Sequence, residues 1–184
     1  SPAKPSGFAI SATDHVMGNP TAPVTIIEYG SVACPACAAF NETVFPDLKA
    51  KYIDTGKVRY VFRPMLTGVG VIAVAGTRMA ECAGNDKYFA VIDAVMRGQH
   101  EYYAWGESNI IAQPILVRIA QSFGLSEAAF NTCATDPTAL ARLQQGHQAA
   151  LKAGVDHTPT VFVNGKALER NDLDSLEAAI KSAK

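Results

Sequence analysis

The sequence predicts an α/β fold: two parallel strands early in the chain, a helical block, then a hairpin and a closing helix. Three observations carry this reading. The β-branched run PVTIIEYG (23–30) and the run KVRYVFRP (57–64) are joined by a segment of helical spacing, as the crossover between parallel strands requires. Segments with apolar residues at helical spacing fill most of residues 71–154. TVFVNGKAL (160–168) then sets Asn164-Gly165 between apolar runs, a strong hairpin signal, ahead of the amphipathic DLDSLEAAIKSA.

Element by element, residues 1–19 are rich in Pro, Gly, Ser and Ala without a clear period and read as a mobile lead-in. Gly30 ends the first strand and Pro64 the second. Between them, AAFNETVFPDLKAKYI (38–53) repeats apolar residues at Phe40, Val44, Leu48 and Ile53, a helix that Pro46 should kink or interrupt. A helix over 71–84 has Gly84 as C-cap. Another over 86–99 is capped by Asp86 and turns Phe89, Ile92, Val95 and Met96 inward. The stretch 108–124 contains Pro114 and ends at Gly124, Ser126 caps a short helix, and 137–154 runs from a first-turn Pro137 to Gly154. The last helix carries Leu173, Leu176 and Ile180 on one face.

At 184 residues, 48% apolar and 18% charged, the chain has the composition of one ordinary globular domain with a sizeable insertion. A chain of this size buries roughly 70% of its unfolded surface and folds without covalent staples. The net charge is −1 and no Lys/Arg run occurs, so nothing supports binding to nucleic acid or an anionic membrane. The longest apolar stretch, GVGVIAVAG (68–76), is far too short to span a bilayer. SPAKPSGFAI opens without a charged or apolar targeting segment, which leaves a cytosolic protein or one whose signal peptide has been removed.

The chemistry concentrates in SVACPACAAF (31–40), where Cys34 and Cys37 flank Pro35 and Ala36. A structural zinc needs four ligands, yet Cys82 and Cys133 stand alone and His15, His100, His147 and His157 form no closely spaced pair. A structural staple across one helical turn is possible but not relaxed, and it constrains almost no chain. An exchangeable disulfide suits the setting, because Cys34 falls where a strand runs into a helix. Unpaired N–H groups and the helix dipole there favour a thiolate. Cys34 is the expected attacking thiol, and Cys37, one turn inward, the resolving one.

Three segments give the chain a resemblance to the DsbA-like thiol–disulfide oxidoreductases of the thioredoxin superfamily, close to variants of alphaproteobacteria. DHVMGNPTAPVTIIEYGSVACPACAAF resembles their first strand, active site and helix. The helical block resembles their inserted domain, and GVDHTPTVFVNGKAL their cis-proline loop and hairpin. The resemblance implies a thioredoxin fold, a mixed central sheet flanked by helices, with an inserted α-helical domain. It divides the chain into the lead-in (1–19), a thioredoxin-fold domain (20–66 and 152–184) and the insert (67–151). It implies a cis peptide at Thr158-Pro159 facing the cysteines, with the Thr158 backbone open to an extended substrate.

Glu28 stands where the family carries a buried acid that shuttles the proton of Cys37, the alternative being a strand-edge glutamate in solvent. Where the familiar oxidase has Pro-His between the cysteines, this chain has Pro35-Ala36, so a higher Cys34 pKa and a milder oxidant are expected. His157 either supplies some of the missing charge or is a solvated loop residue. Cys82 and Cys133 either form a second, structural disulfide, as in some relatives, or stay reduced in the core. Trp105 reads as a packing or rim residue, the alternative being a role in a substrate groove.

The implied activity is donation of disulfides to folding, cysteine-bearing polypeptides in the periplasm. A membrane quinone-linked oxidase of the DsbB type would reoxidise a monomeric protein that needs no metal or organic cofactor. A reductase or isomerase on the same fold is the alternative, and beyond it a non-catalytic chaperone or metal-binding module.

Overall fold

A computed structural model describes residues 9–104 and 109–183. Trp105 lies outside the described residues. The β-branched run over Val24–Gly30 (β2) is followed by helix α1 (Pro35–Thr43), α2 (Phe45–Leu48), a π-helical turn over Lys49–Ile53, and the strand Val58–Pro64 (β3). β2 and β3 pair in parallel from Val24↔Val58 to Gly30↔Pro64. The interruption expected at Pro46 falls just ahead of it, between Thr43 and Phe45, because proline is accommodated in the first turn of α2. The π-helical turn carries no signal in the sequence.

Among the described residues, six helices stand between β3 and the closing hairpin: α3 (Gly70–Cys82), α4 (Tyr88–Arg97), α5 (Gln99–Tyr102), α6 (Asn109–Ser122), α7 (Glu127–Ala134) and α8 (Pro137–Lys152). Ser126 and Asp136 accept at their side chains from the backbone N–H of Ala129 and Ala139, capping α7 and α8. Asp86 does not cap α4. That helix starts two residues later, after a turn, with Lys87 as a cap without a side-chain bond. Tyr88, Val91, Ile92, Val95 and Met96 are the buried residues of α4, while Phe89 is half-buried.

The chain returns as β4 (Thr160–Val163), turns at Asn164-Gly165 with both residues at positive φ, continues as β5 (Lys166–Ala167) and ends in α9 (Leu173–Ser182). β4 lies antiparallel to β2, from Ile26↔Val163 to Tyr29↔Thr160. A further strand, β1 (Val16–Met17), pairs antiparallel with β3. The sheet is therefore mixed and five-stranded, in the order β1-β3-β2-β4-β5. The mobile lead-in expected over residues 1–19 is not what the described part of it forms. Beyond β1, Asp14 pairs with Arg63 at 2.7 Å and the His15 ring stacks on Tyr88 at 3.7 Å.

β2 lies in the centre of the sheet and is covered on both faces. Val24 and Ile26 face a large core shared with Phe40, Leu48, Ile72, Met79, Val95 and Leu176. Ile27 and Tyr29 face a smaller one with Val61, Met65, Ala150 and Phe162. This alternation places Glu28 on the face of the larger core, directly under α1.

Candidate active site

Cys34 is the N-cap of α1, with extended φ and ψ of −89° and 122°, and Pro35 takes the first helical position. Proline fits there because a first-turn N–H has no partner within the helix. Cys34 is half-buried, Pro35 and Ala36 are exposed, and Cys37 is fully buried. Both thiols are free.

The two sulfurs divide one proton unequally. The thiol of Cys37 donates to the sulfur of Cys34 and, against partial burial, lowers the Cys34 pKa to about 5. The Thr158 side chain and the N–H groups of Cys37 and Ala36 add to this. The same hydrogen bond and burial push Cys37 far above the ordinary thiol range, although the Ser31 N–H donates to its sulfur at 3.4 Å. At neutral pH the reduced pair thus holds a thiolate on Cys34 and a proton on Cys37.

Glu28 is 2% exposed, so its carboxyl sits inside the protein rather than at a strand edge. Burial raises its pKa to about 7. A hydrogen bond donated by the Tyr60 hydroxyl opposes this, and the nearby Cys34 adds to it. The other carboxyl oxygen, Oε1, has no hydrogen-bond partner among the described residues. A glycine is required beside it: a Cβ at Gly30 would stand 2.6 Å from the Phe62 ring and 2.9 Å from Glu28 Oε1.

The peptide Thr158-Pro159 is cis. Its loop meets the cysteines: the Cys34 sulfur lies 3.5 Å from the Thr158 carbonyl oxygen, to which it donates when protonated. Asn171 Nδ2 holds the Pro159 carbonyl at 2.9 Å and the Thr160 hydroxyl holds that of His157 at 2.7 Å. His157 points away from the sulfurs. Its side chain is 72% exposed and Nδ1 lies 2.8 Å from Asp156 Oδ1, the arrangement of a solvated loop histidine. Cys82 and Cys133 are joined by a disulfide that ties the end of α3 to α7, and Arg78 donates to the Cys133 carbonyl at 3.1 Å.

Several groups at the site escape sequence reasoning. Gln99 is buried and donates through Nε2 to the carbonyls of Val32 and Cys34, at 2.7 and 3.2 Å. The Tyr103 hydroxyl donates to the carbonyl between them, Ala33, at 2.5 Å. Three consecutive carbonyls of the active-site loop are thus fixed from α5 and the residue after it. Ser31, Thr67 and Tyr60 likewise reach the site from the sheet and the loop after β3. Only Tyr60 left a trace in the sequence: strand alternation puts it on one face with Val58 and Phe62, but not yet under Glu28.

Among the described residues no group of His, Cys, Asp and Glu is placed to hold a metal ion. No helix among them is long and apolar enough to cross a membrane.

The arrangement matches known proteins over nearly its whole length. The sequence profile described as Thioredoxin matches residues 11–182. The "Putative protein-disulfide oxidoreductase" of Rickettsia bellii is 32% identical over 177 residues, which cover 96% of this chain and 66% of that protein. The chain thus spans just under two thirds of that relative's length. The "Probable disulfide bond formation protein D" of Bacillus anthracis is 27% identical over 94% of this chain and 79% of its own. The crystal structure of Wolbachia pipientis alpha-DsbA1 superposes with a TM-score of 0.80 at 27% identity, covering 96% of this chain and 93% of that one. The chain belongs to the thioredoxin family, among the DsbA-like members of that superfamily.

Proposed function

We propose that the protein exchanges disulfides with cysteine-bearing polypeptides through Cys34 and Cys37, in the direction that oxidises the substrate. The observation that carries this reading is the held thiolate of Cys34, which has a pKa of about 5. Stabilising the reduced form of a dithiol makes its disulfide a stronger oxidant, and a low-pKa sulfur is a good leaving group.

In the cycle, a substrate thiolate attacks Cys34 Sγ of the Cys34–Cys37 disulfide, forming a mixed disulfide and releasing Cys37 as thiolate. Cys37 then takes a proton, for which the neutral carboxyl of Glu28 is the nearby donor. A second substrate thiolate attacks its partner sulfur in the mixed disulfide and expels Cys34 as thiolate. The substrate dithiol loses two electrons to the protein disulfide, which becomes the Cys34–Cys37 dithiol. Thr158-Pro159, Pro35 and Ala36 form the surface against which an extended substrate segment lies. The Cys34 pKa stands above the roughly 3.5 of DsbA itself, in keeping with Ala36 where that enzyme has histidine.

On this reading the thioredoxin-fold part (20–66 and 152–184) carries the chemistry. The helical part (67–151) braces it through Gln99 and Tyr103, and the Cys82–Cys133 disulfide braces the helical part. On the likeness to DsbA-like proteins we place the protein's action in the periplasm, with reoxidation by a membrane quinone-linked oxidase of the DsbB type.

The test is the equilibrium of the purified protein with glutathione, alongside oxidation of a two-cysteine peptide. A potential well above thioredoxin's, about −270 mV, with peptide oxidation lost in Cys34→Ser, is expected. A potential at or below thioredoxin's value overturns the oxidising direction and favours a reductase. Full activity of Cys34→Ser overturns the exchange reading itself.

A further inference from the structure

The loop after β3 supplies a hydroxyl that the exchange cycle does not use. The Thr67 carbonyl accepts from the Ser31 hydroxyl at 2.7 Å, and Ser31 Oγ accepts in turn from the Ala33 N–H at 3.2 Å. The next residue, Gly68, holds φ at +81° and lies so close to the cysteine loop that a Cβ there would stand 2.4 Å from the Ala33 carbonyl oxygen. Thr67 is thereby fixed against the active-site loop by its own backbone. From there its Oγ1 reaches across to Thr158 Oγ1, 2.7 Å away. Thr158 is the residue whose carbonyl lies 3.5 Å from the Cys34 sulfur, and its side chain is among the groups that lower the Cys34 pKa.

Counting hydrogens fixes the direction of this contact. A threonine hydroxyl has one proton and two lone pairs, and a thiolate can only accept. When Cys34 is ionised, its sulfur can take the Thr158 proton, and a Thr158 hydroxyl turned onto it has no proton left for Thr67. Thr158 Oγ1 can then meet Thr67 only as an acceptor, so the Thr67 hydroxyl must donate. When Cys34 is a thiol or part of a disulfide, that demand lapses and the pair of hydroxyls is free to reverse.

We propose that Thr67 is a positioning residue of the redox centre: fixed by Ser31, its hydroxyl donates to Thr158 and so turns the Thr158 proton onto the Cys34 thiolate. The relay Thr67→Thr158→Cys34 favours the reduced form over the disulfide. It links the loop after β3 to the cis-proline loop, and it rests on Cys34 being the exchanging thiol.

The experiment is a pH titration of the ultraviolet thiolate absorbance of the reduced full chain. Thr67→Val, which removes the hydroxyl at nearly constant shape, should raise the Cys34 pKa by about 0.5–1 unit, and Thr67→Ser should restore it. Because Thr67 acts through Thr158, the same Thr67→Val change made on Thr158→Val should add less than about 0.2 unit. Thr67→Ala replaces Thr67→Val, with the same expectations, should the valine variant not fold. An unmoved pKa in Thr67→Val overturns the relay. So does an equal rise with and without Thr158, which marks a packing effect. A wild-type Cys34 that titrates in the ordinary thiol range instead overturns the held thiolate on which the proposed oxidising function rests, so the two failures are told apart.

Discussion

The carboxyl of Glu28 gives the stability of the fold a pH dependence of definite sign. Burial raises its pKa from 4.5 to about 7, with Tyr60 opposing and Cys34 adding to the rise. Between those values the folded chain keeps a proton that the unfolded chain has released. The contribution is therefore full below about pH 4.5 and is lost as pH rises through about 7. At roughly 1.4 kcal/mol per pH unit, the loss amounts to about 3 kcal/mol. The assay is urea denaturation of Cys34→Ser protein with and without Glu28→Gln. Serine at the sulfur position removes the Cys34 thiolate, whose lowered pKa would act in the opposite sense by adding stability as pH rises. It also removes the least of the three influences on Glu28. The difference in unfolding free energy between the two proteins should fall by about 3 kcal/mol from about pH 4 to about pH 8. A difference flat to about 0.5 kcal/mol over that range would refute the argument, since glutamine cannot titrate.

Three further outcomes are expected. Cys37→Ala removes the hydrogen bond that does most to hold the Cys34 thiolate, so the Cys34 pKa should climb from about 5 by about one unit or more in a thiolate absorbance titration. Replacing both Cys82 and Cys133 by alanine opens a loop of 51 residues, which in the chain-entropy view costs about 4 kcal/mol, read as a lowered urea midpoint. Gly68→Ala places a methyl group 2.4 Å from the Ala33 carbonyl oxygen at a φ of +81°, so thermal unfolding should show a loss of about 2 kcal/mol or more.

Much of this was legible in the sequence because local chemistry and tertiary position agree there. β-branched runs mark β2 and β3, Asn164-Gly165 marks the hairpin, and the switch from strand to helix at Cys34-Pro35 marks the cysteine that caps α1. β1 was missed because Val16 and Met17 have no period of their own and pair only where β3 presents an edge. Asp86 carries a capping side chain, yet the turn after Gly84 delays the helix past it. The orientation of His157 belongs to a loop, where nothing local decides between sulfur and solvent. Gln99, Tyr103 and Thr67 come from segments remote in sequence, and their polar groups take meaning only from the carbonyls and hydroxyls that packing brings to them.

The two outermost strands of the sheet, β1 and β5, are two residues long each. An exposed strand edge is a template on which any unfolded chain can add itself, and on the function proposed above the protein meets that hazard at every encounter with a client. Borders this short offer too few free N–H and C=O groups to hold a stranger. On that proposal, a client polypeptide that comes to rest against backbone does so beside Cys34, at the loop of Thr158, and leaves once its sulfur has been exchanged.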